Sequence, residues 1–365
     1  MAVLMRVLAV NAGSSSLKLA LLDGDDLVAE RTEQRWDGSA APIGRFLDEH
    51  GADAVGHRVV HGGRITRATV VDDDLVDYLS SLTDLAPLHQ PRALAGLRAV
   101  REAVPELPSV VCVDTAFHSG LPPAAATYAV PREWNERWSL RRYGFHGLSH
   151  GHAVARGCEL TGRRAAESRV LSCHLGAGAS MAAVRAGGCV DTTMGFTPEE
   201  GLVMNSRSGS VDPGLLGWLI TSRGQNPGEV FEALATRGGL AGLSGTSGDL
   251  RDVLAARGAG DADAALAYGV YLHALIRHAG AMVAVLGGLD VLVLTGGVGE
   301  HTPQVRAAVA DALAFLDVRV DRTANEDADG DADLTGAGSA VGIAVVRARE
   351  DLEIARQTRA ALAQR

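Results

Sequence analysis

At 365 residues the chain exceeds what one hydrophobic core usually holds, so two domains of roughly 150 to 200 residues are expected. An apolar fraction of 47% with 44 glycines points to a soluble α/β chain rich in tight turns. The formal charge of −10 argues against nucleic acid or an anionic membrane as partner, so an anionic substrate needs its positive charge supplied locally. In chain order, Val7–Val10 and Leu17–Leu22 read as two strands around a Gly/Ser corner able to offer backbone N–H groups to phosphate. The second strand carries Lys18, the one lysine among 34 basic residues. A lysine kept in an arginine-dominated chain suits a task for a compact ammonium, such as meeting phosphate as a point charge.

Val55–Val60 is a third strand, ending in a glycine pair. Asp72–Leu82 opens a polar helix or loop whose aspartate run is read as solvated, and Pro91–Val104 has a helical pattern with proline in its first turn. Val110–Val113 delivers Asp114 at a strand's C-terminal end, where α/β sheets face their ligands; helix capping is an equal alternative for this residue. Val170–Gly187 aligns without gaps on Val7–Gly24 at an offset of 163, repeating strand, glycine corner and strand. Two such hairpins could grip a polyphosphate from both sides.

His146, His150 and His152 lie between the hairpins without H-E-x-x-H or a cysteine pair, so structural or anion-facing roles are expected rather than a metal cluster. Val291–Thr295 reads as a buried strand running into GGVGE, with Thr302 capping the helix that follows. The acidic stretch Glu326–Asp333 has Leu334 where a calcium loop needs glycine and is read as a mobile surface connection. A strand, AVGIAVV, and a helix end the chain.

Arg6 interrupts the apolar start, which makes a poor signal peptide, and 281–294 is too short to span a bilayer; a cytoplasmic protein without membrane contact is expected. Cys112, Cys158, Cys173 and Cys189 lack C-x-x-C spacing and fit reduced, buried thiols. A P-loop is excluded because Leu19 follows the only lysine, and V-A-I-K and H-R-D are absent. Ser15 to Lys18 matches S-x-x-K of acyl-serine hydrolases, but no second lysine can supply K-T-G.

The motifs NAGSSSLK, GHRVVHGG, APLHQP, DTAFH, YGFHGLSH, CHLGAGAS, MGFTPEEGL, RSGSVDP, GDLRD and GGVGEH occur in this order, and the chain strongly resembles the acetate kinase family from about Val7 to Thr358. That resemblance implies a duplicated α/β fold of the actin, Hsp70 and sugar-kinase (ribonuclease H-like) type, with ATP in a cleft between halves. It implies domains at 1–117 and 118–350, with the terminal helix, 351–365, returning to the first. The implied reaction interconverts acetate plus ATP with acetyl phosphate plus ADP, with Mg²⁺ or Mn²⁺ as cofactor, and the implied assembly is a homodimer.

Carried onto this chain, the resemblance makes Asn11 and Glu350 metal-associated and Lys18 phosphate-contacting. Asp114, His146 and Arg207 match the catalytic group, and Arg58, Val60, Leu88, Phe145 and Pro198 the substrate group with its apolar pocket for the methyl. His174, Leu175, Gly176, Ala177 and Gly178, then Asp249, Leu250 and Arg251, then Gly296, Gly297, Val298, Gly299 and Glu300 match the nucleotide segments.

These residue types suit in-line phosphoryl transfer, in which arginines, a histidine and a metal neutralise the equatorial oxygens. A carboxylate nucleophile is already ionised near neutrality, since carboxyl pKa values lie around 4. Asp114 is therefore expected to hold metal-bound waters or orient an arginine rather than serve chiefly as a base. The chain departs from the family in reading HLGAG for HLGNG, so that Ala177 lacks an amide; MNSRSG stands for MGTRSG, placing Asn205 near Arg207, and Ser210 replaces a common aspartate. The chain is also short between Gly24 and Val55. These departures bear on the phosphoryl donor more than on the reaction. Propionate kinase is the nearest alternative, and a nucleotide sensor that has lost transfer is an alternative of another class.

Overall fold

The computed structural model describes residues 5–13, 16–87 and 89–364. The chain divides into two compact units: Met1–Ser119 with Tyr143–His152 and Arg349–Arg365, and Gly120–Arg142 with Ala153–Ala348. The first unit holds a six-stranded sheet of β1 (Arg6–Ala12), β2 (Ser16–Asp23), β3 (Asp26–Gln34), β4 (Ala54–Val59), β5 (Thr69–Val70) and β6 (Ser109–Val113), in the order β3-β2-β1-β4-β6-β5. In the second unit β7 (Arg169–Leu175), β8 (Ala179–Arg185), β9 (Gly188–Thr192), β10 (Val291–Thr295), β11 (Ala332–Asp333) and β12 (Gly342–Val345) run β9-β8-β7-β10-β12-β11.

The two orders are the same when matched strand for strand, and so are the pairing senses. Each sheet has an antiparallel three-strand meander, two parallel additions and an antiparallel edge. The expected duplicated α/β fold is present. The ungapped offset of 163 holds only for the first strand of each hairpin. Ala12 pairs with Leu17 across residues 13–16, whereas Leu175 pairs with Ala179 across 176–178. The second corner is one residue shorter, so Lys18, opposite Asn11, corresponds in space to Ser180, opposite His174.

Alternation along β1 sends Leu8 and Val10 to one face with Leu17, Leu19, Ile43 and Phe46. Val7 and Ala9 go to the other face, which is covered by Leu148, Leu352, Ile354 and Ala355. Those four residues explain why 143–152 and the terminal helix, Glu350–Ala363, belong with the first sheet. The range 118–350 expected for the second domain includes 143–152, which clusters with the first unit.

Three local readings need correction. Asp72 is not merely solvated: it is the N-cap of helix Asp73–Ser81, accepting from Leu75 N at 2.8 Å. Thr302 precedes helix Pro303–Ala312 but makes no side-chain cap bond. The acidic stretch 326–333 is a built element containing the end of a helix (Arg322–Asp327) and β11, with Asp329 paired to Arg347 and Asp331 to Arg156. Among the described residues one helix, Ala262–Leu286, is long and apolar enough to cross a bilayer. It packs on β7, β8 and β9 instead, burying Ala264, Ala267, Tyr271, Leu275, Ala279 and Met282 at helical spacing.

Candidate active site

In the first unit the functional residues collect at the C-terminal ends of parallel strands, where the sheet's ligand face lies. Arg58, next to last in β4, is the hub. Its Nη2 donates to Asp114 Oδ2 at 2.8 Å and its Nη1 approaches Glu350 Oε2 at 2.7 Å. Asn11 Nδ2 donates to the same Glu350 oxygen at 3.4 Å. Burial alone would depress the Arg58 pKa, but the Asp114 and Glu350 charges outweigh it, and the guanidinium is held firmly protonated. Asp114 is only 1% exposed. Its Oδ2 accepts from Arg58, and the short turn 114–118 that it begins has no side-chain cap bond.

His146 has a left-handed backbone (φ 57°), and its carbonyl accepts from His150 N, so it stands at the N-terminus of helix Gly147–Leu160. The helix starts hard against Asp114: a Cβ on Gly147 would lie 1.9 Å from the Asp114 carbonyl oxygen. Phe145 is buried, and its carbonyl lies 2.9 Å from His118 Nε2. Phe145 also packs edge-on against His61, which follows Val60. Lys18 is exposed on β2. Leu88, assigned to the methyl pocket, and Ser14 and Ser15 of the Gly/Ser corner lie outside the described residues.

In the second unit a cavity of about 410 Å³ is lined by residues that the sequence assigned to the nucleotide, Gly176, Ala177, Asp249, Leu250, Arg251, Gly297 and Val298, and by three that it did not, Asn205, His301 and Thr302. His174, Leu175, Gly178, Gly296, Gly299 and Glu300 are not among the lining residues. Several of these build the frame. Gly296 has φ 78°, and a Cβ there would lie 2.7 Å from the Leu175 carbonyl oxygen, so only glycine lets the end of β10 approach β7 this closely. Glu300 accepts from Ala348 N at 3.0 Å, and the buried Arg306 donates to the Gly299 and Glu300 carbonyls. Asp249 caps helix Leu250–Gly258 and holds Arg251, and that ion pair keeps its carboxyl low, at about 2.

Arg207 belongs to the same unit. Its Nη1 donates to the Pro198 carbonyl at 3.1 Å and touches Met204 Sδ at 3.7 Å, and it forms no ion pair among the described residues. Burial depresses its pKa, with only Glu199 pulling the other way. A desolvated guanidinium with donors to spare is an anion-binding group. Pro198 thus presents its carbonyl to Arg207. The loop bearing it is locked by Glu200, which accepts from Arg142 Nη2 and from the Tyr128 hydroxyl, both at 2.6 Å. Sequence reading does not show this lock, because Tyr128 lies outside every motif and the spacing of Arg142 and Glu200 gives no sign that they meet.

Comparison with known proteins agrees with this geometry. Over 399 aligned residues the chain is 39% identical to the acetate kinase of Trichormus variabilis, covering 97% of this chain and 98% of that protein. It is 44% identical to the acetate kinase of Gloeothece citriformis over 84% of this chain and 75% of that protein. The crystal structure of Porphyromonas gingivalis acetate kinase superposes with a TM-score of 0.91 at 33% identity, covering 98% of this chain and 100% of that one. A propionate kinase from Francisella tularensis superposes at 0.89 and 30% identity, with the same coverage. The acetokinase family profile matches residues 44–356, a range that includes Arg58, Asp114, Arg207 and every residue lining the cavity, so the chain belongs to the acetokinase family.

Proposed function

We propose that the protein is an acetate kinase, catalysing reversible Mg²⁺-dependent transfer of the ATP γ-phosphoryl group to acetate, giving acetyl phosphate and ADP by direct in-line displacement. The observation that carries this reading is Arg207, a half-buried cation tied only to a carbonyl and a thioether, with donors left for a phosphoryl group. Acetate is ionised at neutral pH and needs no base to attack. Asp114 then works by fixing the Arg58 fork, which orients the carboxylate or the phosphoryl oxygens. Val60 and Phe145 are the apolar residues that the first unit offers to the methyl.

Asn11 and Glu350 carry an amide oxygen and a carboxylate, hard donors of the kind Mg²⁺ takes beside waters and substrate phosphates, and would hold the ion in exchange for the bond from Asn11 Nδ2 to Glu350. When bound, that ion offsets charge on the transferring phosphate oxygens. Homodimer formation and a cytoplasmic location belong to the same proposal. Exposed Leu215, Trp218 and Phe231 on helices Pro213–Thr221 and Pro227–Thr236 support a second copy as partner, which sedimentation velocity tests directly.

Hydroxamate trapping of acyl phosphate from ATP with acetate, propionate and butyrate tests the reaction. Acetate should lead and propionate should follow, since one methylene in an apolar pocket is worth only about 1 to 3 kcal/mol. No acyl hydroxamate from any of the three would sink the reading in favour of a nucleotide sensor.

A further inference from the structure

We infer that Asn205 is the residue through which the second unit's cavity reads the polyphosphate of its nucleotide, doing so by a side-chain amide. This rests on the cavity being the nucleotide site. Three chain segments converge on the Asn205 backbone. Its N–H donates to the Ala177 carbonyl at 3.3 Å, and its own carbonyl accepts from Ala241 N at 2.8 Å. A Cβ on Gly248 would lie 2.5 Å from that same carbonyl, so the left-handed glycine (φ 80°) is what lets this third segment close in. Both backbone polar groups are therefore spent and the main chain is pinned, which fixes where the side chain starts.

The side chain lines the cavity and makes no hydrogen bond among the described residues. It is the single carboxamide among the lining residues described. Asp249, the carboxylate of that lining, is engaged by Arg251 and by its helix N-terminus. Ala177, bonded to Asn205 through the backbone, is exposed at the glycine corner and contributes only a methyl. Arg207 stands two residues further on in the chain and is not among the residues lining the cavity. The pinned main chain needs no rearrangement to bring the amide to the cavity wall.

Calorimetric titration of the full-length protein with ADP and with adenosine tests the assignment. Asn205→Ala should weaken ADP binding about ten- to hundredfold, the range of one hydrogen bond to a charged group, while leaving adenosine affinity and the KM for acetate unchanged. Adding Ala177→Asn to Asn205→Ala should recover much of the loss, because an amide returns to the neighbouring position. Unchanged ADP affinity in Asn205→Ala would overturn the inference while hydroxamate formation by the wild type left the proposed reaction standing. Equal losses for ADP, adenosine and acetate without recovery in the double variant would reduce Asn205 to a structural role. A wild-type protein that bound no nucleotide would remove both readings.

Discussion

Arg58 and Asp114, brought together at 2.8 Å from the adjacent parallel strands β4 and β6, form an ion pair whose carboxylate is almost wholly withdrawn from water. Arg58 also holds Glu350, so it is shared between two acids, and removing either acid changes where its fork points. Asp114→Asn should lower kcat and the apparent Mg²⁺ affinity together, and Asp114→Ala should cost about 3 kcal/mol of stability by leaving a buried cation half-paired. A double-mutant cycle with Arg58→Ala should be strongly non-additive in kcat/KM. Additive losses with an unchanged Mg²⁺ dependence would mean that Asp114 acts as a base independently of Arg58.

Arg207 differs from Arg58 in having no carboxylate partner among the described residues. Arg207→Ala should lower kcat about 10²- to 10³-fold, the scale of losing one preorganised charge-stabilising group. Stability should change little or rise, since a desolvated cation is removed along with a single carbonyl bond. Steady-state rates and thermal melts check the two halves separately, and a large drop in melting temperature would make Arg207 a structural residue.

Burial pushes the pKa values of His57 and His61 down to about 4. The unfolded chain therefore binds protons between its ordinary histidine pKa of roughly 6.5 and 4, where the native state does not. Stability should be full above pH 6.5 and fall as the pH drops towards 4, by on the order of 2 to 3 kcal/mol for a fully buried histidine such as His57. Urea midpoints from pH 7.5 to 4.5 report the slope. His57→Leu should flatten it, and an unaltered slope in that variant would assign the effect to other groups.

Sequence reading located the elements whose burial is one-sided or complete. The strands β1, β2, β7, β8 and β10 were legible because their apolar residues alternate or run unbroken. β3 was not, because its residues are mostly exposed or half-exposed and it exists by pairing onto β2. The long helix Ala262–Leu286 hid behind an apolar composition broken by Gly269 and Gly280, although the spacing 264, 267, 271, 275 and 279 was there to find. Within the site, motifs located Arg58 and Asp114 and the family resemblance Glu350, but neither showed that one guanidinium joins them. Thr302 and His301 escaped because cavity lining depends on how Gly296–His301 turns immediately into a helix. No local pattern announces that.

The unequal corners of the two hairpins leave their outgoing strands facing the same way, because Lys18 and Ser180 stand opposite the matching residues Asn11 and His174. A turn one residue shorter is therefore compatible with this architecture. Cutting the first corner to the length of the second would keep Leu17 and Leu19 in the core and Lys18 on its exposed side, whereas a deletion inside β2 would send every side chain beyond it to the opposite face.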